Sequence, residues 1–360
     1  MNIKPVLSFY KNNPGYIKFF FRYLFKRSKP FYDLIFQITN VCNSRCITCF
    51  NWKILNKEID QELTLEEIDK ITRKIGKLDT VTIGGGEPFS RRDLPKIVDL
   101  FKRNNGVSVV AIPTNCLSTK NILSDTEKIL KRFKGQLKIG LSLDGIGETH
   151  DKIRGVRGNF KKFLETYHGL AELKKEYPKL RLRICSVILN VNVKQIPEMI
   201  KYVKENLPMI NYHGLELLKG DYDRGKVKAV SPAEFEKIIE IIEGENKNEI
   251  NFYKRVTSPI IQRLFLDILK KKKQLIPCRM SSFCPVIDAS GNVYSCEQRQ
   301  KIGNLRDFDY DLNKIWQSKK AKEIRKSIKR KECYCTHSAY QAPNVYLSPK
   351  MITKIIRGKY

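Results

Sequence analysis

Three cysteines lie close together near the start of the sequence, in the stretch VCNSRCITCF at 41–50. Cys42, Cys46 and Cys49 have the spacing C-x3-C-x2-C and follow a strand-like run at 33–39. A disulfide, a zinc site and an iron–sulfur cluster all compete for such a pattern. Structural zinc takes four ligands, and no fourth Cys or His lies nearby in the loop. Three thiolates suffice to hold three irons of a 4Fe–4S cube and leave one iron open, so we expect these cysteines to bind a cluster.

The other cysteines are clustered too. Beside Cys116 and Cys185, which stand alone, the sequence has Cys278, Cys284, Cys296, Cys333 and Cys335. The apolar N-terminal stretch is interrupted by basic residues and no small-residue cleavage site follows it, so we expect no export signal. Clustered cysteines without such a signal predict metal ligands that are kept reduced in the cytoplasm.

Helical and strand-like segments alternate along the chain. Strands are predicted at 33–39, 80–83, 107–112, 137–143, 181–189 and 214–218. The first helix begins at a capping box of Thr64 and Glu67, and a later one begins at a second box of Ser231 and Glu234. Further helices are predicted at 93–104, 124–133, 159–175 and 193–206. This alternation predicts right-handed parallel βαβ units, hence an α/β sheet or barrel.

The unusual motifs all follow predicted strands. GGGEP at 84–88 follows the second strand, PTNC at 113–116 the third, SLDG at 142–145 ends the fourth and NVN at 190–192 follows the fifth. In a parallel α/β barrel the loops at the carboxyl ends of the strands carry the function. We therefore expect the cysteine loop and these motifs to form one site.

Together, the cysteine triplet, GGGEP, TN and SLDG resemble the radical S-adenosylmethionine (SAM) enzymes over about residues 33 to 220. The resemblance implies a partial (β/α)6 TIM-type barrel in which Cys42, Cys46 and Cys49 hold a 4Fe–4S cluster and SAM chelates the open iron. It also implies a one-electron reductant such as a flavodoxin or ferredoxin, and a 5′-deoxyadenosyl radical that takes hydrogen from a substrate. The SAM contacts that it implies are Gly85, Gly86, Glu87, Asn115, Ser142, Arg154 and Asn192.

Two positions depart from the family pattern. Thr48 stands where an aromatic residue usually precedes the third cysteine, and Phe50 is a candidate to supply the missing ring. Cys116 stands where the family usually has glycine after Thr-Asn.

A second resemblance covers the C-terminal cysteines. Cys278 is followed after twelve residues by Gly291 and after four more by Cys296, which is similar to the opening of the SPASM and twitch modules of radical SAM enzymes. The similarity implies an auxiliary 4Fe–4S cluster held by Cys278, Cys296, Cys333 and Cys335, with Cys284 spare. A zinc knot in the same place is the alternative.

The termini and the charge bear on location and partners. The net charge is +30, and residues 1–30 combine basic and aromatic residues without an acid. Such segments favour peripheral contact with the anionic inner face of a membrane, although they would also suit a cover for the barrel. No RNA-binding module is recognisable, so nucleic acid is not expected as a partner. The substrate stays open between a membrane- or lipid-linked molecule, a ribosomal peptide and an RNA.

These observations predict five segments. They are a basic aromatic arm at 1–30, a barrel at 31–225, a helical linker at 226–275, a cluster module at 276–340 and a basic tail at 341–360.

Overall fold

The computed structural model describes residues 31–57, 59–219, 227–247, 249, 251 and 253–360. The strands, in chain order, are β1 (Asp33–Thr39), β2 (Thr80–Gly85), β3 (Val109–Thr114), β4 (Gln136–Ser142), β5 (Leu180–Ile188), β6 (Ile210–Leu217), β7 (Val286–Ile287), β8 (Asn292–Tyr294) and β9 (Gly303–Asn304).

Helices join consecutive strands, as the alternation predicts. Those of the barrel are α1 (Leu65–Ile75), α2 (Leu94–Leu100), α3 (Thr119–Arg132), α4 (Glu148–Arg154), α5 (Asn159–Glu176) and α6 (Ile196–Asn206). The later ones are α7 (Pro232–Asn246), α8 (Ser258–Lys271), α9 (Leu312–Gln317), α10 (Lys319–Lys329), α11 (Ser338–Tyr346) and α12 (Pro349–Arg357).

One sheet contains all nine described strands, in the order β6-β5-β4-β3-β2-β1-β7-β8-β9. Strands β1 to β6 pair in parallel with their sequence neighbours. Strand β7 extends the sheet beside β1 in parallel, and β8 and β9 follow it as antiparallel strands. The six parallel units are the partial (β/α)6 barrel, and their carboxyl ends meet at one rim.

Burial alternates along the strands. In β5, Leu182, Ile184 and Ile188 are completely buried, whereas Arg183 between them is exposed. Helix α5 packs against β4 and β5. One face of the sheet is therefore covered by helices, while the other carries polar side chains along the concave side of the barrel.

The predicted elements are largely confirmed, including both capping boxes. Strand β1 has the predicted bounds. Strand β6 begins four residues earlier than predicted, at Ile210 rather than Gly214. Polar Asn211 and His213 interrupt the apolar pattern at its start, but this part of the strand pairs with β5, where the Asn211 side chain also accepts a hydrogen bond from Leu182 N at 3.0 Å. Cross-strand pairing thus overrides the local pattern.

The chain divides into two compact units. One contains Phe31–Ala229 and Cys284–Lys322, and the described part of the other consists of Val230–Phe283 and Glu323–Tyr360. In the second unit, α7 packs against α8 and α11 against α12. The five predicted segments are not tested by this division and stay a prediction.

The two terminal segments have different outcomes. The predicted arm at 1–30 lies outside the described residues. In the tail, Met351 and Ile355 of α12 are buried, so part of the apolar side of this basic helix packs inside the protein. Among the described helices, none combines the length and the hydrophobicity needed to span a bilayer.

Candidate functional site at the carboxyl ends of the strands

The cysteine loop is anchored on two sides. The backbone N–H of Cys42 donates to Asn56 Oδ1 at 3.0 Å, and Asn56 Nδ2 donates back to the Cys42 carbonyl at 3.1 Å. On the other side, Ile47 N donates to the carbonyl of Ile153 in α4 at 2.9 Å. The loop conformation is therefore set largely by main-chain and amide hydrogen bonds, and Ser44 Oγ lies 3.0 Å from Cys46 Sγ.

The three thiols line the same two cavities, one of about 280 Å³ and one of about 260 Å³. The pKa of Cys49 is raised to about 11, chiefly by burial and also by the neighbouring sulfurs of Cys46 and Cys42. The pKa of Cys42 is also raised, chiefly by burial. Neighbouring thiolates repel one another, so a bound metal cation would stabilise them. Metal coordination deprotonates thiols outright.

Two glycines of GGGEP bring the β2 loop against the cysteine loop. A Cβ on Gly85 would lie 2.3 Å from the Thr39 carbonyl oxygen, and one on Gly86 would lie 2.2 Å from that of Val41. Gly85 also has a φ of +121°, which only glycine adopts readily. The sequence suggested that these glycines admit a ligand. Because these glycines have no side chain, the β2 loop lies directly against the backbone that enters the cysteine loop. Both glycines also line the larger cavity.

The Glu87 carboxylate joins β2 to the end of β3. Its Oε1 accepts hydrogen bonds from Thr114 Oγ1 at 2.9 Å and Phe89 N at 3.3 Å, and its Oε2 accepts one from Asn115 N at 2.8 Å. Only 1% of the residue is exposed, and burial raises its pKa to about 7 despite these donors. Oε2 keeps one acceptor position, which a buried cationic group would satisfy.

Arg154 carries the positive charge of the site. Its Nη1 pairs with Asp144 Oδ2 at 3.2 Å, and the side chains are 12% and 1% exposed. Burial alone would lower the pKa of Arg154, but the charges of Cys46 and Asp144 outweigh that effect and raise it. Its Nε is buried without a hydrogen-bond partner among the described residues. An anionic ligand bound beside the cysteines would pair with the Arg154 guanidinium, which Asp144 holds in position.

The larger cavity brings most of the sequence-predicted residues together. It is lined by Cys42, Cys46, Cys49, Gly85, Gly86, Glu87, Asn115, Ser142 and Arg154, and also by Thr48 and Phe50. Phe50 is thus where a substitute ring was expected. These residues come from four separate strand ends and from α4, as the predicted convergence requires.

Asn192 does not line this cavity. Its Nδ2 donates to the carbonyls of Asp144 and Val187, both at 2.8 Å, and its Oδ1 accepts from Leu189 N at 2.8 Å. The amide is 1% exposed, and its donor and acceptor are both satisfied by backbone. In this structure the Asn192 side chain closes the turn after β5, and its contact with SAM stays a prediction.

Cys116 is one departure from the family pattern, and its backbone conformation shows why glycine is usual at this position. Its φ of +66° is left-handed, a conformation that glycine adopts without strain. Hydrogen bonds from α5 hold this turn, with Asn159 Nδ2 donating to the Asn115 carbonyl at 2.9 Å and Thr166 Oγ1 to that of Cys116 at 3.0 Å. The buried thiol is a packing group here, and burial raises its pKa strongly.

Two family models match this chain. The model for the radical SAM superfamily matches residues 36–203, which include the cysteine loop and every strand-end motif described above. A model for the SPASM iron–sulfur cluster-binding domain matches residues 278–337. The chain belongs to the radical SAM superfamily.

Relatives and solved structures agree with this membership. The radical SAM chain is 32% identical over 195 residues to an Fe-coproporphyrin III synthase of Methanosarcina barkeri, a match that covers 53% of this chain and 45% of that protein. It is 26% identical over 329 residues to a GTP 3′,8-cyclase of Aquifex aeolicus, with 85% and 95% covered. The chain thus spans less than half of the first relative and nearly all of the second.

Solved structures are similar in fold. The SAM-bound form of Streptococcus suis SuiB has a TM-score of 0.59 at 20% identity, with 83% of this chain and 68% of that chain covered. The SAM-bound form of anSMEcpe has a TM-score of 0.63 at 18% identity, with 91% and 96% covered. At this identity the likeness concerns the fold alone.

Membership in the radical SAM superfamily implies a 4Fe–4S cluster and SAM, and the SPASM match implies auxiliary iron–sulfur binding. The site fits the first pair, because the thiols, the buried Glu87 and Arg154 all line one cavity, and Arg154 Nε has no hydrogen-bond partner among the described residues. No three or more His, Cys, Asp or Glu side chains of the described residues are placed to hold a single metal ion. A cube makes a different demand, since each thiolate binds a different iron.

The C-terminal cysteines fall in both compact units. Cys278, Cys333 and Cys335 belong to the second unit, whereas Cys284 and Cys296 belong to the unit that contains the barrel. Burial raises the pKa of Cys278, and the neighbouring Cys335 raises it further. Cys284 is 4% exposed. The ligand set Cys278, Cys296, Cys333 and Cys335 stays a prediction.

Sequence reasoning assigned no ligand-binding role to Asp144, which organises the site. Its Oδ1 accepts from Val187 N at 2.7 Å, its Oδ2 pairs with Arg154, and its backbone N–H donates to His150 Nδ1 at 3.0 Å. Burial lowers the pKa of His150 to about 4, so this acceptor is neutral. The aspartate of the SLDG motif is the sequence feature that could have indicated this role, but its partners are evident only in the structure.

Proposed function

We propose that this protein reductively cleaves SAM and uses the resulting radical to abstract hydrogen from a substrate. The observation that carries the proposal is one cavity lined by the cysteine triplet, Glu87 and Arg154. Cys42, Cys46 and Cys49 would hold a 4Fe–4S cluster there, and the bound cluster would supply the electron for reductive cleavage of a carbon–sulfur bond of SAM. The chain's own residues bind and orient SAM for that step.

Each polar residue has a role that its surroundings support. Glu87 accepts the SAM ammonium at Oε2, and Arg154 donates Nε–H to the SAM carboxylate. Asn115 and Ser142 offer hydrogen-bonding groups to the nucleoside from the ends of β3 and β4. These four residues line the same cavity as the three cysteines.

The direct test is SAM cleavage by reconstituted protein. Under anaerobic conditions with dithionite, we expect 5′-deoxyadenosine and methionine in equal amounts, formed slowly even without substrate. The products are measured by chromatography and mass spectrometry, with protein lacking iron as the control. Protein with a verified cluster content that forms no 5′-deoxyadenosine would rule out the proposal.

Glu87 should make SAM binding depend on pH. A carboxyl group with a pKa of about 7 loses its charge as the pH falls, so we expect SAM affinity to weaken from pH 8 to pH 6. Glu87→Gln should bind SAM about tenfold more weakly at pH 8, a loss of about 1.4 kcal/mol, and should flatten the pH profile. Equilibrium dialysis of SAM against the cluster-loaded protein measures both effects.

Protonation of the Glu87 carboxyl group should also affect the stability of the protein when SAM is absent. The folded pKa of Glu87 lies above its ordinary value of 4.5, so the native state holds a proton that the unfolded chain releases. The free energy of unfolding should therefore fall as the pH rises from 4.5 to 7, and Glu87→Gln should remove part of that fall. Asp33, whose pKa burial also raises to about 7, provides the matched control. Asp33→Asn should reduce the same pH dependence of stability but leave the pH profile of SAM affinity unchanged.

The substrate is a separate question. The relatives are named for reactions on different molecules, so their names do not select one for this chain. The end of β6 adds Glu216 and Lys219, paired at 3.1 Å, to the cavity lining. We place the substrate against this pair, because the SAM motifs leave it unused.

Peptide modification is a second candidate. The solved structures with similar folds include SuiB bound to the precursor peptide SuiA and anSMEcpe with SAM and the Cp18Cys peptide. A lipid-linked or membrane-bound substrate and an RNA remain alternatives from the basic composition. Direct binding measurements with anionic vesicles, RNA and cysteine-containing peptides would separate the three, and steep weakening with salt would mark contacts with phosphates.

A further inference from the structure

We propose that Gln341 and Asn344 of helix α11 belong to the auxiliary cluster site, where they position Cys335 and Cys278 and donate hydrogen bonds to cluster sulfur. The inference rests on the proposed auxiliary cluster. Both residues follow the last residue of the SPASM match, which ends at 337. They are three positions apart on α11, so they lie on the same side of that helix.

Gln341 contacts Cys335 twice. Its Nε2 donates to the Cys335 carbonyl oxygen at 3.1 Å and lies 3.6 Å from Cys335 Sγ. The side chain is 2% exposed, and its Oε1 has no hydrogen-bond partner among the described residues. One amide therefore restrains both the backbone and the sulfur of this cysteine, and water does not compete for it.

Asn344 holds the turn that follows Cys278. Its Oδ1 accepts hydrogen bonds from the backbone N–H groups of Arg279 at 2.9 Å and Met280 at 3.1 Å, the two residues that follow Cys278. Ser281 Oγ donates to the Cys278 carbonyl at 3.1 Å, which completes the turn. The cysteine is thus held by a buried amide that belongs to α11.

The other end of the Asn344 amide has no such partner. Nδ2 is buried in a residue that is 1% exposed, and it forms no well-aligned hydrogen bond within the described part of the chain. Buried N–H groups rarely remain unsatisfied, so an acceptor is expected beside it. Cys278 is the neighbouring sulfur on which the Asn344 side chain acts. A thiolate or sulfide of a cluster at Cys278 would provide that acceptor.

Hydrogen bonds to sulfur have a defined electrochemical effect. Reduction adds negative charge to an iron–sulfur cluster, and N–H donors stabilise that charge, which raises the reduction potential. Residues around the ligands also fix their orientation. The two amides should therefore make the auxiliary cluster easier to reduce than it would be without them.

The experiment isolates the auxiliary cluster by using full-length protein in which Cys42, Cys46 and Cys49 are alanine. Into this background we introduce Gln341→Met, which removes the donor at similar length, and Asn344→Asp, which keeps Oδ1 but loses the Nδ2 donor. Gln274→Met is the matched control, since Gln274 is a buried glutamine of the same unit with no described hydrogen bond to a cysteine. Spectroelectrochemical titration gives the midpoint potential, and iron analysis gives the occupancy.

We expect both variants to shift the midpoint potential to more negative values or to lose iron selectively, whereas Gln274→Met matches its parent in both measurements. Unchanged potential and unchanged iron in both variants would overturn the inference and leave the auxiliary cluster intact. If the parent itself holds no iron–sulfur cluster, the predicted auxiliary cluster is absent and this inference fails with it, whereas SAM cleavage at the cysteine triplet is unaffected. Equal iron loss in all three variants, control included, would also overturn it, because the effect would then be one of general packing.

Discussion

Replacing Cys42, Cys46 and Cys49 together by alanine is expected to abolish 5′-deoxyadenosine formation and to halve the iron content. Two cubes would give about eight irons per chain, of which about four should remain. The physical reason is that the three thiols share one loop and one cavity, while the C-terminal cysteines lie elsewhere in the chain. Iron and sulfide analysis, electron paramagnetic resonance spectra and the product assay measure the result.

A single buried thiol provides the control for this result. Cys284→Ala should keep the full iron content, because Cys284 is left out of both predicted ligand sets. The cluster that survives in the triple variant lacks an open iron, so adding SAM should leave its spectrum unchanged. A triple variant that contains zinc but no iron would instead show that the C-terminal cysteines form a structural knot.

Replacing Asp144 by alanine is expected to have the largest effect on stability. The change leaves the buried Arg154 guanidinium without its carboxylate, and breaking a buried ion pair in this way typically costs about 3–5 kcal/mol. It also removes the acceptor for Val187 N. The free energy of unfolding of the apoprotein, from urea titration under reducing conditions, measures this loss, and SAM affinity should fall with it.

An exposed ion pair on the same helix as Arg154 is the matched control. Glu148 and Lys152 pair at 3.0 Å with side chains that are 86% and 77% exposed. Because solvent screens such pairs, Glu148→Ala should change the free energy of unfolding by less than about 1 kcal/mol. If Asp144→Ala is no more destabilising than Glu148→Ala, Asp144 does not hold Arg154 in place.

The sequence by itself determined the elements and the chemistry of the cysteine loop. Hydrophobic periodicity and caps are local properties, so the capping box at Thr64, the bounds of β1 and the succession of strands and helices could all be predicted. The spacing of Cys42, Cys46 and Cys49 is also local. Because parallel strands share one direction, motifs that follow different strands had to meet at one rim, and the structure brings them to one cavity.

Only the tertiary structure decided what each side chain at that rim touches. Asn192 follows β5 and Arg154 ends α4. The Asn192 amide is satisfied by backbone groups, whereas Arg154 lines the cavity and its Nε has no hydrogen-bond partner among the described residues. Gly86 lines the cavity as predicted for a ligand contact, and it also permits the close approach of the Val41 carbonyl, which the sequence did not indicate. These outcomes depend on which groups are already paired, and that is settled by contacts between residues far apart in sequence. Spacing along the chain does not reveal those contacts. The roles of Asp144, Gln341 and Asn344 were therefore evident only in the folded protein.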